Sequence, residues 1–163
     1  MLIEILNENH DLSSFDCGEI VYNKYLQDQA LKDLKSFYSK TYVARLKDSN
    51  KVIAYYSLIS SQITQSESKF MLQEESKLPV VLLGKLAVDI NHKRKGIASD
   101  LCVTAFRTLL FLCHHIGYVA LIVDAASDGL AEKLYKPQGF KSLNNKPRRL
   151  YIQTTELIMI NES

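Results

Sequence analysis

The spacing of hydrophobic positions changes several times along the chain, and each change predicts an element. Leu2 to Leu6 alternates weakly and reads as a first strand. From Glu19 to Ser36, with Gly18 just ahead, Ile20, Val21, Tyr25, Ala30, Leu31 and Leu34 approximate helical spacing, with charges between them. Thr41 to Leu46 and Val52 to Ile63 are β-branched and aromatic, and read as strands separated by the turn-rich Lys47-Asp48-Ser49-Asn50. Ser57 to Ser76 carries six serines and comes closest to a polar loop. Pro79 opens a strongly apolar run, Val80 to Val88, which ends at Asp89.

Ile97 to Ile116 is the clearest helix. Ile97, Leu101, Ala105 and Leu109 make one stripe, and Ala98, Cys102, Phe106, Leu110 and Cys113 the adjoining one. Gly117 is positioned to stop it. Tyr118 to Val123 then reads as a buried strand and Ser127 to Pro137 as a short helix. Gly139-Phe140 and a last strand, Leu150 to Thr155, follow. The order β-α-β-β-β-α-β-α-β, without repeats, predicts a mixed α/β sheet in one domain over residues 1–163.

Composition narrows this picture. Charged residues are 23% and hydrophobic ones 47% of the chain, which excludes a disordered charged arm. No apolar run approaches the roughly 18 residues of a membrane span, and the first thirty residues lack a signal-peptide pattern. Cys17, Cys102 and Cys113 contain no Cys-x-x-Cys spacing and lie beside none of His10, His92, His114 or His115 at zinc-ligand spacing. A reducing, cytoplasmic setting without a bound metal is therefore expected. Cys102 and Cys113 share a helix face, which suits core packing.

The net charge is +2, but unevenly spread: residues 1–90 hold ten Lys and Arg against twelve Asp and Glu, and residues 91–163 hold ten against six. Lys93-Arg94-Lys95 and Lys146-Pro147-Arg148-Arg149 supply the excess, as solvated surface or as a seat for a phosphorylated ligand. The first cluster sits in a particular place. Leu86-Ala87-Val88 closes a buried strand, and the loop after Asp89 turns directly into a helix at Gly96-Ile97-Ala98-Ser99. Backbone N–H groups at a helix start have no intrahelical acceptor, and the helix dipole adds about half a positive charge there. Gly96 allows close backbone approach, and three basic side chains add to the field, which together suit a diphosphate. Neither the nucleotide triphosphatase loop Gly-x-x-x-x-Gly-Lys-Ser/Thr nor the dinucleotide fingerprint Gly-x-Gly-x-x-Gly is present.

Leu86-Ala87-Val88 followed by Lys93-Arg94-Lys95-Gly96-Ile97-Ala98 resembles the acyl-coenzyme A signature of the GNAT N-acetyltransferases, Gln/Arg-x-x-Gly-x-Gly/Ala. Gly96 and Ala98 match, and Lys93 stands where Gln or Arg is usual. Ala131-Glu132-Lys133-Leu134-Tyr135 with Gly139-Phe140 resembles the family's final segment. Phe15-Asp16-Cys17-Gly18, Tyr25-Leu26 with Ala30, and Val52-Ile53-Ala54-Tyr55-Tyr56-Ser57-Leu58 resemble one branch, the aminoacyl-tRNA-acetylating toxins of toxin–antitoxin modules.

The resemblance implies a mostly antiparallel sheet with a splayed central strand pair flanked by helices, and acetyl-coenzyme A as co-substrate. It implies that Leu86, Ala87 and Val88 bind pantetheine and the thioester carbonyl, and that Lys93, Arg94, Lys95, Gly96, Ile97, Ala98 and Ser99 hold the diphosphate. Tyr135 aligns with the family's tyrosine and would donate a hydrogen bond to the departing sulfur. A small ribbon-helix-helix antitoxin and a homodimer are implied by likeness alone. If the acceptor is tRNA, Lys146, Arg148 and Arg149 are the basic side chains expected to serve it, with Lys35 and Lys32 in lesser roles. No general base is evident. His92 flanks the loop, and His114 and His115 lie far along the helix. An α-amine ionises near pH 8, lower once its carboxyl is esterified, so it needs less base assistance than a lysine near 10.4. The same residues leave open acetylation of a small amine or a protein N-terminus, and a coenzyme-binding domain without catalysis.

Overall fold

Runs of β-branched and aromatic residues form a seven-stranded sheet in the computed structural model, which describes residues 1–64, 77–144 and 146–163. The strands are β1 (Leu2–Ile5), β2 (Lys40–Arg45), β3 (Val52–Thr64), β4 (Lys77–Val88), β5 (Ala120–Asp124), β6 (Lys141–Leu143) and β7 (Lys146–Gln153), hydrogen-bonded in the order β1-β2-β3-β4-β5-β7-β6. The helices are α1 (Ile20–Lys24), α2 (Ala30–Lys35), α3 (Ile97–Leu112), α4 (Asp128–Leu130) and α5 (Thr154–Glu162). Contacts divide the chain into two units: residues 1–59 with 84–105, and residues 60–83 with 106–163.

In the first unit β1, β2 and β3 are antiparallel, with Ile3 opposite Ala44 and Val43 opposite Tyr55. One π-helical turn, Tyr25–Gln29, joins α1 to α2, so the single helix expected over residues 19–36 carries a bulge at its centre. Leu6, Phe15, Leu26, Ala30, Val43, Val52, Tyr55 and Ala87 build the core. Phe15 meets Tyr55 edge-on at 5.5 Å, and Tyr25 stacks on it at 6.1 Å. The N-terminal half of α3 buries Ile97, Leu101 and Ala105 in this unit, from the first stripe that the spacing predicts, and Cys102 from the adjoining one.

In the second unit β4 and β5 run parallel from Val80↔Ala120 to Leu83↔Val123. Strand β4 runs past Leu83 to Val88, its last residues belonging to the first unit. Strands β5 and β7, and β6 and β7, are antiparallel. Ile63, Leu78, Val80, Ala120, Ile122 and Leu143 form the core here.

The sequence expectations differ from the structure at four places. The strand expected over Val52 to Ile63 is β3, which runs one residue further to Thr64, so Ser57, Ser60 and Ser61 lie in it rather than in a polar loop, and the remainder of that expected loop lies outside the described residues. Helix α3 ends at Leu112, not Ile116. The N–H groups of His114 and His115 close tight turns onto Phe111 and Leu112, and the Tyr118 hydroxyl donates to the Leu109 carbonyl at 2.5 Å. Gly117 is not among the residues with positive φ. The last strand starts at Lys146, with Pro147 near its exposed end, and finishes at Gln153. Thr154 then opens α5, where Gln153 and Glu156 make a reciprocal capping box.

Candidate acyl-coenzyme A site

The first unit carries the loop that the sequence singles out. Leu86, Ala87 and Val88 end β4 as buried residues, and Asp89 follows, itself buried. The Asp89 carboxylate accepts from the Asp16 N–H at 3.1 Å and from the Asn91 N–H at 2.9 Å, capping the 3₁₀ turn Ile90–His92. Its own N–H donates to the Ile53 carbonyl at 2.8 Å, and Ile90 N–H to the Asp16 carbonyl at 2.8 Å. Burial alone would raise the Asp89 carboxyl, but these N–H donors, with His92 Nδ1 at 3.5 Å, hold it below the usual carboxylate range. His92 is thus engaged beside the loop.

The three basic residues have different surroundings. Lys93 Nζ donates to the Cys17 carbonyl at 2.7 Å, so the residue standing for Gln or Arg braces the loop against the segment 15–18. Lys95 Nζ reaches the Asn91 carbonyl at 3.3 Å. Arg94 is exposed and holds φ +62°, a left-handed conformation costing a non-glycine residue about 1–2 kcal/mol. Gly96 has φ +78°, and a Cβ built there meets nothing within 4 Å. Asp100 N–H bonds back to the Gly96 carbonyl at 3.1 Å, which opens α3 and leaves the amides ahead of it without intrahelical acceptors. Open space at Gly96, exposed cations and a helix start fit a diphosphate.

Tyr135 lies in the second unit, at the end of a π-helical turn, Ala131–Tyr135, that continues α4. Ser127 Oγ caps that helix by accepting from Leu130 N–H at 3.1 Å, and Gly139, at φ +103°, ends the following 3₁₀ turn. The Tyr135 ring is 3% exposed and meets Phe140 edge-on at 5.5 Å. Of the basic cluster in the same unit, Arg148 Nε pairs with Asp128 at 2.8 Å and Arg149 Nη1 with Asp124 at 3.6 Å, while Lys146 is exposed. Lys35, in the first unit, pairs with Glu8. These acidic neighbours neutralise part of the charge that the sequence suggested for a polyanion.

Sequence reasoning missed Asp89 and its brace to Asp16. Asp89-Ile90-Asn91 signals a turn, but nothing local points to a partner seventy-three residues away. Asp89→Ala strands the Asp16 and Asn91 amides and is expected to cost about 2–3 kcal/mol in denaturant unfolding. The folded carboxyl is depressed, so its stabilisation is full above the unfolded value near 4 and fades as pH falls through the lower folded value. Melting temperatures of wild type and Asp89→Asn should therefore begin to approach each other as pH falls below about 4 and meet only below the lower folded value.

No family model matches the chain. A tRNA-acetylating toxin of Mycobacterium tuberculosis is 27% identical over 125 residues, 76% of this chain and 74% of the toxin. The structure of AtaT complexed with acetyl-methionyl-tRNAfMet superposes with a TM-score of 0.87 at 25% identity, covering 98% of each chain. That of AtaTR bound with acetyl-coenzyme A gives 0.83 at 26% identity over 98% of this chain and 97% of the other. In fold and in sequence, the chain resembles the GNAT acetyltransferases that act as tRNA-acetylating toxins.

Proposed function

We propose that residues 1–163 form one GNAT domain that transfers acetyl from acetyl-coenzyme A to the α-amine of aminoacyl-tRNA, and that this acetylation makes it a toxin blocking translation. The observation that carries the reading is the start of α3. Buried strand end, braced loop, left-handed Gly96 facing open space and free helix amides follow one another there, as in the acyl-coenzyme A loop the sequence resembles. The names of the similar proteins support the acceptor. No helix of the structure is long and apolar enough to cross a membrane among the described residues. A cytoplasmic setting, a homodimer and a ribbon-helix-helix antitoxin belong to the same proposal.

The thioester supplies an activated acetyl carbonyl. In this reading the backbone of Leu86, Ala87 and Val88 holds pantetheine and the carbonyl oxygen, and amides over Gly96 to Ser99 hold the diphosphate. Preorganised backbone donors toward developing negative charge typically contribute about 10²–10³ in rate each. Arg94 and Lys95 add positive potential, while Lys93 and Asp89 keep the loop in place. Tyr135 donates a hydrogen bond to the sulfur. Full proton transfer from a phenol near 10 to a thiolate near 8.5 is uphill by roughly 2 kcal/mol, so donation without transfer is the role assigned. The partly neutral α-amine attacks the thioester carbonyl, the C–S bond breaks to release coenzyme A as the thiolate, and the proton shed by the nitrogen passes to water. Little help from a side-chain base is needed.

Mass spectrometry of charged tRNA incubated with the protein and isotope-labelled acetyl-coenzyme A tests this directly. A labelled acetyl group on the aminoacyl moiety is expected; label only on free amines or protein N-termini would overturn the acceptor. Arg148→Gln with Arg149→Gln should slow acetylation of tRNA while leaving coenzyme binding unchanged. Neutral replacements are chosen because glutamates would face Asp128 and Asp124.

A further inference from the structure

We propose that Phe37 and Tyr38 are a stacking platform for the unpaired nucleobases at the 3′ end of the RNA acceptor, an inference that rests on the tRNA reading above. The turn after α2 is closed by Phe37 N–H on the Leu34 carbonyl at 3.2 Å and Tyr38 N–H on the Asp33 carbonyl at 2.9 Å. This is the double hydrogen-bond closure that normally places glycine or asparagine in the left-handed conformation. Here Phe37 occupies it, at φ +60°. A bulky residue in that region is an outlier, and such strain is usually retained because the side chain is buried or because it is used.

Burial does not account for it. Phe37 is 81% and Tyr38 68% exposed, the former being the most exposed large hydrophobic residue among those described. The surroundings are cationic: Lys40 Nζ sits 4.6 Å from the Phe37 ring centroid, and Lys32 and Lys35 occupy the last turn of α2. Against them stand Asp33, which is buried and accepts from Gln29, and Glu8, which pairs with Lys35. Ser36, before the two rings, is exposed, and Ser39, after them, is buried with its hydroxyl against that of Tyr25 at 3.0 Å, which anchors the segment beneath the aromatics. Exposed aromatic rings interleaved with lysines are the chemistry that binds single-stranded nucleic acid, by base stacking and backbone charge together. A strained turn that presents the ring also removes freedom the ring would otherwise lose on binding.

The test compares a tRNA transcript with the same transcript lacking its last four unpaired 3′ nucleotides, by fluorescence anisotropy at fixed salt. Wild type should bind the full transcript about tenfold more tightly than the truncated one. Phe37→Gly should lose that preference through weaker binding of the full transcript alone, keep its acetyl-coenzyme A affinity, and melt about 2–4 °C higher because glycine suits the turn. Phe37→Trp should retain the preference. Unchanged tRNA affinity in Phe37→Gly, as a protein-docking role would give, overturns the platform, and so does an equal loss on both transcripts. A wild-type protein that binds acetyl-coenzyme A but neither transcript overturns the tRNA reading itself, and the platform with it.

Discussion

Tyr135→Phe is expected to lower kcat by about two orders of magnitude while leaving acetyl-coenzyme A affinity close to wild type. The substitution removes one hydroxyl and nothing else from a ring that is 3% exposed. The edge-on contact with Phe140 at 5.5 Å and 72° needs only the ring, and the Phe140 N–H bond to the Tyr135 carbonyl at 3.4 Å is backbone. What disappears is a donor whose partner, in the proposed reaction, gains negative charge as the thioester breaks. An interaction made only at that stage lowers kcat and kcat/KM together and leaves ground-state binding alone. Stopped assays of thiol release with charged tRNA give both constants, and isothermal titration gives the coenzyme affinity. Wild-type turnover in the phenylalanine variant would remove Tyr135 from the chemistry and leave it as Phe140's packing partner. A loss confined to KM would place it in substrate binding instead.

Much of this arrangement is legible in the sequence because it depends on local signals. The buried strand end at Leu86 to Val88, the break at Asp89 and the amphipathic stripe from Ile97 to Leu109 all fall where period and turn chemistry put them. Interactions across long sequence separations are not legible. Lys93 reads as a free cation beside a phosphate site, yet its Nζ is committed to the Cys17 carbonyl. Arg148 and Arg149 read as exposed charge, but the register of β5 and β7 sets Arg149 opposite Asp124. Helix α5 is hidden for a different reason. Leu157-Ile158-Met159-Ile160 shows no helical period, and its capping box uses Gln153 where serine or threonine is the usual sequence cue. Phe37 is the converse case: a local rule predicts glycine after α2, and the violation is visible only once φ is known.

Gly96 allows backbone strain and ligand space to be separated, because a Cβ there meets no neighbour within 4 Å while φ is +78°. Gly96→Val should destabilise the fold by about 1–2 kcal/mol or somewhat more, since a β-branched residue resists the left-handed region. Gly96→Asn should cost much less, because asparagine tolerates that conformation. Both side chains nevertheless project into the space beside the helix amides where the diphosphate is proposed to lie. Each is therefore expected to raise the acetyl-coenzyme A dissociation constant by about tenfold or more, the loss of one favourable helix-end anion interaction. Gly117→Ala is the control: its Cβ also meets nothing within 4 Å and its φ is not positive, so stability and coenzyme affinity should both stay put. Denaturant titrations and coenzyme binding measured on the three variants decide the matter. If affinity followed stability, falling in Gly96→Val and intact in Gly96→Asn, Gly96 would matter only for loop geometry. A tenfold loss in a fully stable Gly96→Asn puts the ligand against the backbone at that residue.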